Sequence, residues 1–391
     1  MLKLQSPPYE PLAPVAPAAR NGHQSALEDS LFLSRSWMQS CIDNWTGRTR
    51  YRQLRLPAAD GTSAIALLGD RLERRHGLLP VRVLALNQSG CDVLDQPWIE
   101  RNGFFGANPN AFESHLTQLL DLLRVDTRWD ELHLGGLTSN HARQALYQAA
   151  RYGLNARLDL EQPSFNIDLD AVRSQFSGDY LKALSPNTRQ QLRRSRRLAE
   201  ATLGPLTLDS ADSVKQALAW FDETSPLHRA RWGGPDHEVF DSGFDNPAFV
   251  QFHQGLIRHA FPEGGIQYLR LRAGQTVLAY LYNFVAGRNV HFYLSGIDYR
   301  HDATLRPGML AHWMAIEANL AAGMQLYDFL AGDARYKRSL STGEDRTLWL
   351  VLQRPRLKLQ LEAWARKAKR KWRGQSQDVL DRIPHPSRVR S

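Results

Sequence analysis

QYLRLRAGQTVLAYLYNFVAGRNVHFYLSGI, residues 267–297, and PGMLAHWMAIEANLAAGMQLYDFL, residues 307–330, decide the fold. Residues 268–272, 277–285 and 290–297 are rich in Val, Tyr, Phe and Leu. The breaks between them are the short turns Ala273-Gly274-Gln275 and Ala286-Gly287-Arg288-Asn289. Such runs, parted by Gly- and Asn-bearing turns, predict antiparallel hairpins. Pro307 suits the first position of a helix, where its missing N–H has no bond to lose. Met309, Trp313, Ile316 and Leu320 then recur at helical spacing, and Gly323 ends the helix. Residues 325–330 and 346–353 complete the unit as strands.

The first half of the chain follows the same outline. Residues 50–56, 62–68 and 81–86 predict strands, and 112–123 a helix through Leu116, Leu119, Leu120 and Leu123. Residues 131–134 predict a strand and 139–152 a helix closed by Gly153. An amphipathic helix over 29–45, with Phe32, Trp37 and Ile42, precedes this unit. The second half opens at residue 164. Ser185 as N-cap and Pro186 at the first position start a helix bearing Arg189, Arg193, Arg194, Arg196 and Arg197. That arginine face is either solvated or anion-binding. Helices over 213–222 and 247–259 come next, with a Trp232-Gly233-Gly234-Pro235 loop between them.

At 391 residues the chain is long enough for two domains, and 42% hydrophobic with 23% charged residues is a globular composition. No apolar run approaches the roughly 20 residues that span a bilayer. The prolines of 1–28 suggest a flexible leader rather than a secretory signal. Two cysteines, Cys41 and Cys91, exclude a disulfide framework and a Cys-based zinc site, and they suit a cytoplasmic setting. The net charge of +9 is concentrated at one end. Eleven Lys/Arg and three Asp/Glu follow residue 355, leaving 38 basic and 37 acidic residues in the body. A nearly neutral body gives no nucleic-acid footprint, so no nucleic-acid partner is expected.

Asp95-Gln96-Pro97-Trp98-Ile99-Glu100-Arg101-Asn102, the Arg-rich helix 185–198, Arg306-Pro307-Gly308-Met309-Leu310, Gly323 to Gly332 with Tyr327-Asp328-Phe329, and Tyr336-Lys337 occur in this order. With that order the chain resembles the GNAT superfamily over roughly residues 30–355. More narrowly it is similar to the CelD-type acyltransferase branch, related to the Fem-type aminoacyltransferases. The resemblance implies an α/β (α+β) fold with two tandem GNAT-like domains, 29–163 and 164–355, each a mixed, mostly antiparallel sheet flanked by helices. It also implies acyl transfer to an amine or hydroxyl of a sugar, lipid, glycan or small metabolite, in envelope or exopolysaccharide synthesis. The donor implied is acyl-CoA (acetyl-CoA), with no metal. Arg306, Pro307 and Gly308 stand where the family holds the donor pyrophosphate on a helix N-terminus, in the second domain. They are not the full Gln/Arg-x-x-Gly-x-Gly/Ala signature, which leaves an acyl-carrier protein, an aminoacyl-tRNA or a non-catalytic binding protein as alternatives.

Transfer from a thioester needs a base, oxyanion donors and an acid for the leaving thiolate. Asp328 interrupts an apolar strand and is a candidate base, or a carboxylate that holds a neighbouring loop. His291, Tyr293 and Ser295 alternate onto one strand face, which lines either a cleft or the solvent side. Lys337, with Tyr336 beside it, matches by position a Lys that assists transfer in the Fem-type relatives. His228, Arg231 and Trp232 sit on or beside the Gly/Pro-rich loop as acceptor contacts or as loop packing. Glu100 and Asn102 are the first-domain candidates, against simple surface polarity.

The segment 356–391 is expected to form a basic amphipathic helix and tail. Leu357, Leu361, Trp364, Ala368 and Trp372 share one helical stripe, and 356–373 carries eight basic residues and one acid, Glu362. Such a helix suits peripheral attachment to an anionic membrane, at its cytoplasmic side. The alternative is that the stripe packs on the second domain.

Overall fold

A computed structural model of the chain describes residues 30–57, 63–232, 242–300 and 303–372. The leader 1–28, positions 233–235 of the expected loop and the tail after 372 lie outside the described residues. In chain order the elements are α1 (Arg35–Trp45), β1 (Tyr51–Pro57), β2 (Ser63–Arg75), β3 (Leu79–Leu86), α2 (Phe112–Val125), β4 (Glu131–Thr138), α3 (Ser139–Arg151), β5 (Asn155–Asp168), α4 (Leu169–Phe176), α5 (Tyr180–Ala183), α6 (Pro186–Leu203), β6 (Leu206–Ser210), α7 (Val214–Trp232), α8 (Pro247–Ala260), β7 (Ile266–Ala273), β8 (Thr276–Ala286), β9 (Asn289–Ile297), α9 (Pro307–Ala321), β10 (Leu326–Ala331), α10 (Arg335–Leu340), β11 (Gly343–Gln353) and α11 (Leu357–Trp372).

The two expected sheets are halves of a single one, in the order β1-β2-β3-β4-β11-β5-β10-β9-β8-β7-β6. Each half begins with an antiparallel meander, β1-β2-β3 or β7-β8-β9. Each then crosses through a helix, α2 or α9, to a parallel strand, so that Val83 pairs with Glu131 and Asn289 with Leu326. The repeat seen in outline in the sequence is therefore a repeat of topology. The last strand of each half then changes sides. β5 lies against β10, β11 lies against β4, and the two pair with each other from Gly343↔Asn166 to Gln353↔Asn155. Residues 163 and 164 fall inside β5, which belongs to this central exchange.

One sheet face is covered by α2 and α3 over the first half and by α4, α5, α6 and α9 over the second. The other face carries α1, α7 and α8, whose Trp37, Phe221, Phe252 and Leu256 pack on Tyr268, Tyr282 and Phe284. Leu359 of α11 packs on Val81 and Val83 at the far end of this second face.

Four details differ from the sequence expectation. The chain enters α1 through a 3-10 turn, Leu31–Leu33, and the helix starts only at Arg35, because Ser34 caps it by accepting from Trp37 N. Strand β5 begins at Asn155, nine residues before the expected start. Its polar run and Pro163 conceal it, and Pro163 sits beside the irregular β10 register, where it accepts from Gly332 N. Helix α7 runs through Pro226 to Trp232, so His228, Arg231 and Trp232 are on its last turns and not on a loop. A register shift in β8–β9 pairs Tyr282 with Leu294 and Asn283 with Phe292, leaving Tyr293 as an extra residue. Past this bulge the alternation reverses, and Ser295 leaves the face of His291 and Tyr293.

Candidate active site

The connection from β3 to α2 carries the Asp95–Asn102 stretch across the middle of the sheet. Its start is tied down by the Asp95 carboxylate, which accepts from Ser89 N at 2.6 Å and Gly90 N at 2.7 Å. Asn246, at the start of α8, donates to Val93 O at 2.6 Å and Gln96 Oε1 at 2.7 Å. Asn102 is fully buried. Its amide donates to Leu86 O and Gly135 O, and its oxygen accepts from Asn87 Nδ2 and Gly103 N. Those bonds make it the brace of the first half. The backbone approaches closely here: Gly136 has φ +72°, and a Cβ on it would lie 2.3 Å from Ile99 O.

Held in this way, Glu100 and Arg101 reach the second half. Glu100 Oε2 accepts from Ala331 N at 2.7 Å. Arg101 donates to Asp328 Oδ2 from Nε at 3.0 Å and from Nη2 at 2.6 Å, and Nη2 also donates to Ser164 Oγ at 2.9 Å. Asp328 lies on β10 between His291 of β9 and Asn166 of β5. Its Oδ1 accepts from Leu330 N at 2.8 Å, and its Oδ2 lies 3.9 Å from His291 Nε2. The β9–β10 pairing ends at Asp328↔His291, and Leu330 turns to φ +59°. The strands therefore part at this point, and Lys337 from α10 closes the opening with Nζ 2.7 Å from Ala331 O and 3.3 Å from Leu330 O.

The electrostatics of the group follow from burial and mutual charge. Burial works to raise the Asp328 pKa, but the Arg101 charge and the hydrogen bonds from Arg101 and the Leu330 amide hold it below the ordinary value. Asp328 is thus an ionised, committed carboxylate, which makes it a weak proton acceptor and a good counter-charge. Glu100 differs: burial pushes its pKa up, only partly offset by the Ala331 amide, Lys337 and Arg101. Burial pulls Lys337 down to about 8 although Glu100 and Asp328 oppose it. His291 is pulled down by burial to about 4, so its imidazole is neutral, and its Nδ1 has no hydrogen-bond partner among the described residues. Tyr293 stacks on Phe284 at 4.5 Å, and burial followed by the Glu100 charge raises its phenol pKa.

Five sequence candidates therefore meet: Glu100, His291, Tyr293, Asp328 and Lys337. The rest stand elsewhere. Tyr336 stacks on buried His312 at 5.3 Å, within the core on the opposite sheet face. His228 bonds through Nδ1 to Ser242 Oγ at 2.8 Å, and the Arg231 guanidinium lies over the rings of Trp232 and Tyr299. Arg306 is the N-cap of α9 at φ +46°, makes no side-chain cap, and donates to Gln191 Oε1 of α6 at 2.6 Å. Pro307 is buried and Gly308 half-buried behind it. On α6 a shallow groove of about 370 Å³ is lined by Pro186, Arg189, Gln190, Arg193 and Arg197.

No sequence pattern assigns a role to Arg101 or Ser164. Arg101 lies within the Asp95–Asn102 motif, but its partner is 227 positions away. An Arg beside a singled-out Glu and a lone Asp in an apolar strand was the only signal. Among the described residues no group of three His, Cys, Asp or Glu could hold a metal ion. No described helix is long and apolar enough to cross a membrane.

Comparison with known proteins bears on the second half directly. Residues 186–338 match the family model described as an acetyltransferase (GNAT) domain. Among solved structures the chain is similar to FemX, at 12% identity and TM-score 0.53 over 85% of this chain and 94% of that one. It also matches L-PGS from Bacillus licheniformis at 10% identity, TM-score 0.47, over 85% and 96% of the two chains. A third match is a tandem GNAT protein from the clavulanic acid biosynthesis pathway, at 11% identity, TM-score 0.41, over 81% and 87%. No curated protein matches in sequence. From the start of α6 into α10, the chain thus carries a domain that matches the GNAT acetyltransferase family, set in a mixed α/β sheet whose fold is that of FemX.

Proposed function

We propose that the chain moves an acyl group from a thioester donor of the acyl-CoA class to an amine or hydroxyl of a sugar, lipid or small metabolite. The observation that carries this reading is that Glu100 and Lys337 converge on Ala331, the carboxylate at its amide and the amine at its carbonyl, where β9 and β10 part beside the strand that lies in the acetyltransferase-type domain. Glu100, the carboxyl with the raised pKa, takes the proton of the acceptor as its nitrogen or oxygen bonds to the thioester carbonyl carbon. The Lys337 ammonium offsets the charge that develops on the carbonyl oxygen. Collapse breaks the C–S bond, and the proton held by Glu100 goes to the leaving thiolate. Asp328 and Arg101 position the group and keep a negative charge near Lys337, and the neutral His291 offers its free Nδ1 as a hydrogen-bonding atom.

For the donor, Arg306 and the start of α9 are the proposed phosphate contacts, and Arg306 is held there by its bond to Gln191 of α6. His228, Arg231 and Trp232 are proposed as acceptor contacts at the end of α7. A place in the CelD-type branch, in envelope or polysaccharide synthesis, is the narrower form of the proposal. The test is thiol release from acetyl-CoA and longer acyl-CoA thioesters with a panel of amine and hydroxyl acceptors, run beside a charged-tRNA arm. Acceptor-dependent thiol release that Lys337→Ala abolishes supports the proposal. Transfer from aminoacyl-tRNA alone overturns the donor class. Absence of both transfer and any thioester-induced rise in Tm overturns the reaction.

A further inference from the structure

Helix α11 docks by an unexpected side. It packs on the first half of the chain, not the second, and its buried contacts are Leu359 on Val81 and Val83 and Glu362 near Arg75 at 3.3 Å and His76 at 3.7 Å. Lys358 adds Pro80 O at 2.7 Å and Asp130 at 2.6 Å, and Arg356 lies 3.2 Å from Asp130. This footing is specific, and it leaves the first three residues of the apolar stripe uncovered. Leu357 is 77% exposed, Leu361 66% and Trp364 73%. The β2–β3 turn that supplies His76 also presents Leu78, 90% exposed. Large apolar side chains grouped at one place on a surface mark a contact site.

Charge decides what the contact is. Six of the nine residues from 365 to 373 are Lys or Arg, and the one acid between 356 and 373, Glu362, is turned inward onto Arg75 and His76. From the exposed stripe of α11 we infer that the helix is a reversible anchor for an anionic lipid surface. Trp364, Leu357 and Leu361 enter the headgroup–acyl boundary, and the positive charge that the sequence concentrates in 365–373 supplies the attraction to anionic headgroups. A Trp at such a boundary keeps its ring in the apolar layer and its N–H in the wet one. The helix lies in the interface and does not span it, because its 16 residues are too short and too polar. This attachment is independent of the acyl-transfer reading.

The test uses the full chain with sedimenting vesicles of phosphatidylcholine alone or with phosphatidylglycerol, at low and high salt. The expected result is binding to the anionic vesicles only, weakened by salt. Leu361→Glu with Trp364→Glu, both exposed and so compatible with an unchanged Tm, should weaken that binding by about tenfold or more. The single Trp364→Ala variant, which adds no charge, should lie between. A chain that stays in solution with anionic vesicles at low salt overturns the inference, and so does undiminished binding of the double variant. Sedimentation equilibrium without lipid supplies the last outcome: a dimer that the double variant dissolves would assign the stripe to a second copy and overturn it too.

Discussion

The Arg101 guanidinium donates twice to Asp328 Oδ2, and this pair links the two halves of the sheet at its centre. Arg101 comes from the connection after β3, with φ +53°, and Asp328 from β10, where it is fully buried. Removing one member of a buried ion pair leaves the other charged without compensation and costs about 3–5 kcal/mol. Arg101→Gln should therefore lower the urea-unfolding free energy by that order. Asp328→Asn together with Arg101→Gln should cost less than the sum of the single changes, since the pair is lost as a unit. Additive losses in this cycle would show that the two side chains do not depend on each other.

Under the proposed mechanism Lys337 should set the basic limb of turnover. Its amine, pulled down to about 8, loses its proton as the pH rises through that value, so a rate that needs the ammonium falls there. Glu100 must be ionised to accept a proton, so the acid limb lies above the ordinary Glu value. The expected profile of kcat/KM is a bell between these limits. Lys337→Ala should reduce kcat by about 10²- to 10⁴-fold and remove the basic limb, and Glu100→Gln should act likewise on the acid limb. Rates of both variants within a factor of about 3 of the parent would place the chemistry elsewhere.

Gly308 follows Pro307 at the start of α9, and a Cβ there would lie 3.4 Å from Ile297 Cδ1, an ordinary contact. Gly308→Val should thus fold, while keeping a phosphate away from the helix N-terminus. Loss of one hydrogen bond to a charged group, about 1.5–3 kcal/mol, corresponds to a donor Kd or KM raised by about tenfold or more. Unchanged donor affinity in the folded variant would remove the donor from this helix.

Gly136→Ala probes the clasp without touching a charged group. The position needs φ +72°, and the new methyl would meet Ile99 O and the Glu100 Cα. A left-handed L-residue costs about 1–2 kcal/mol, and overpacking adds about 1–3. A lower Tm is expected, with a fall in kcat larger than that of a stability-matched variant on α2, because the Glu100 backbone must shift.

Acid should unfold the protein over a defined window. His253, His291 and His312 are buried and His228 is half-buried, and desolvation pulls the pKa values of His228, His253, His291 and His312 to about 4, 3, 4 and 3. In the unfolded chain each titrates near 6.5, so there the unfolded state binds protons that the folded state refuses. Their contribution is present above pH 6.5 and is lost as the pH falls towards 4 and 3. Asp95, pushed up to about 6 by burial, and Glu100, also raised by burial, act in the opposite sense but are two groups against four. Urea midpoints taken at pH 7, 6 and 5 should decrease in that order. Replacing His253 by Phe should flatten the slope, since neither ring nitrogen of His253 has a hydrogen-bond partner among the described residues.

The chain alone determined the local elements and much of their order. The β7–β9 meander and α9 were legible because alternation, turn residues and a helical stripe are short-range signals, and Ser185 and Pro186 marked α6 for the same reason. Asp328 and Lys337 were legible only as polar residues out of pattern, or through a resemblance. The tertiary structure decided that the two halves share one sheet, since nothing local distinguishes a β11 that pairs with β5 from one that also pairs with β4. It decided which charges meet: Arg101 finds Asp328, Glu100 finds the Ala331 amide, and Asn102 turns inward, each through a connection whose course no periodicity encodes. It also decided which side of α11 is covered. The stripe of Leu357, Leu361 and Trp364 was plain in the sequence, but Leu359 and Glu362 have partners on β2 and β3, and burying those two leaves the stripe outside.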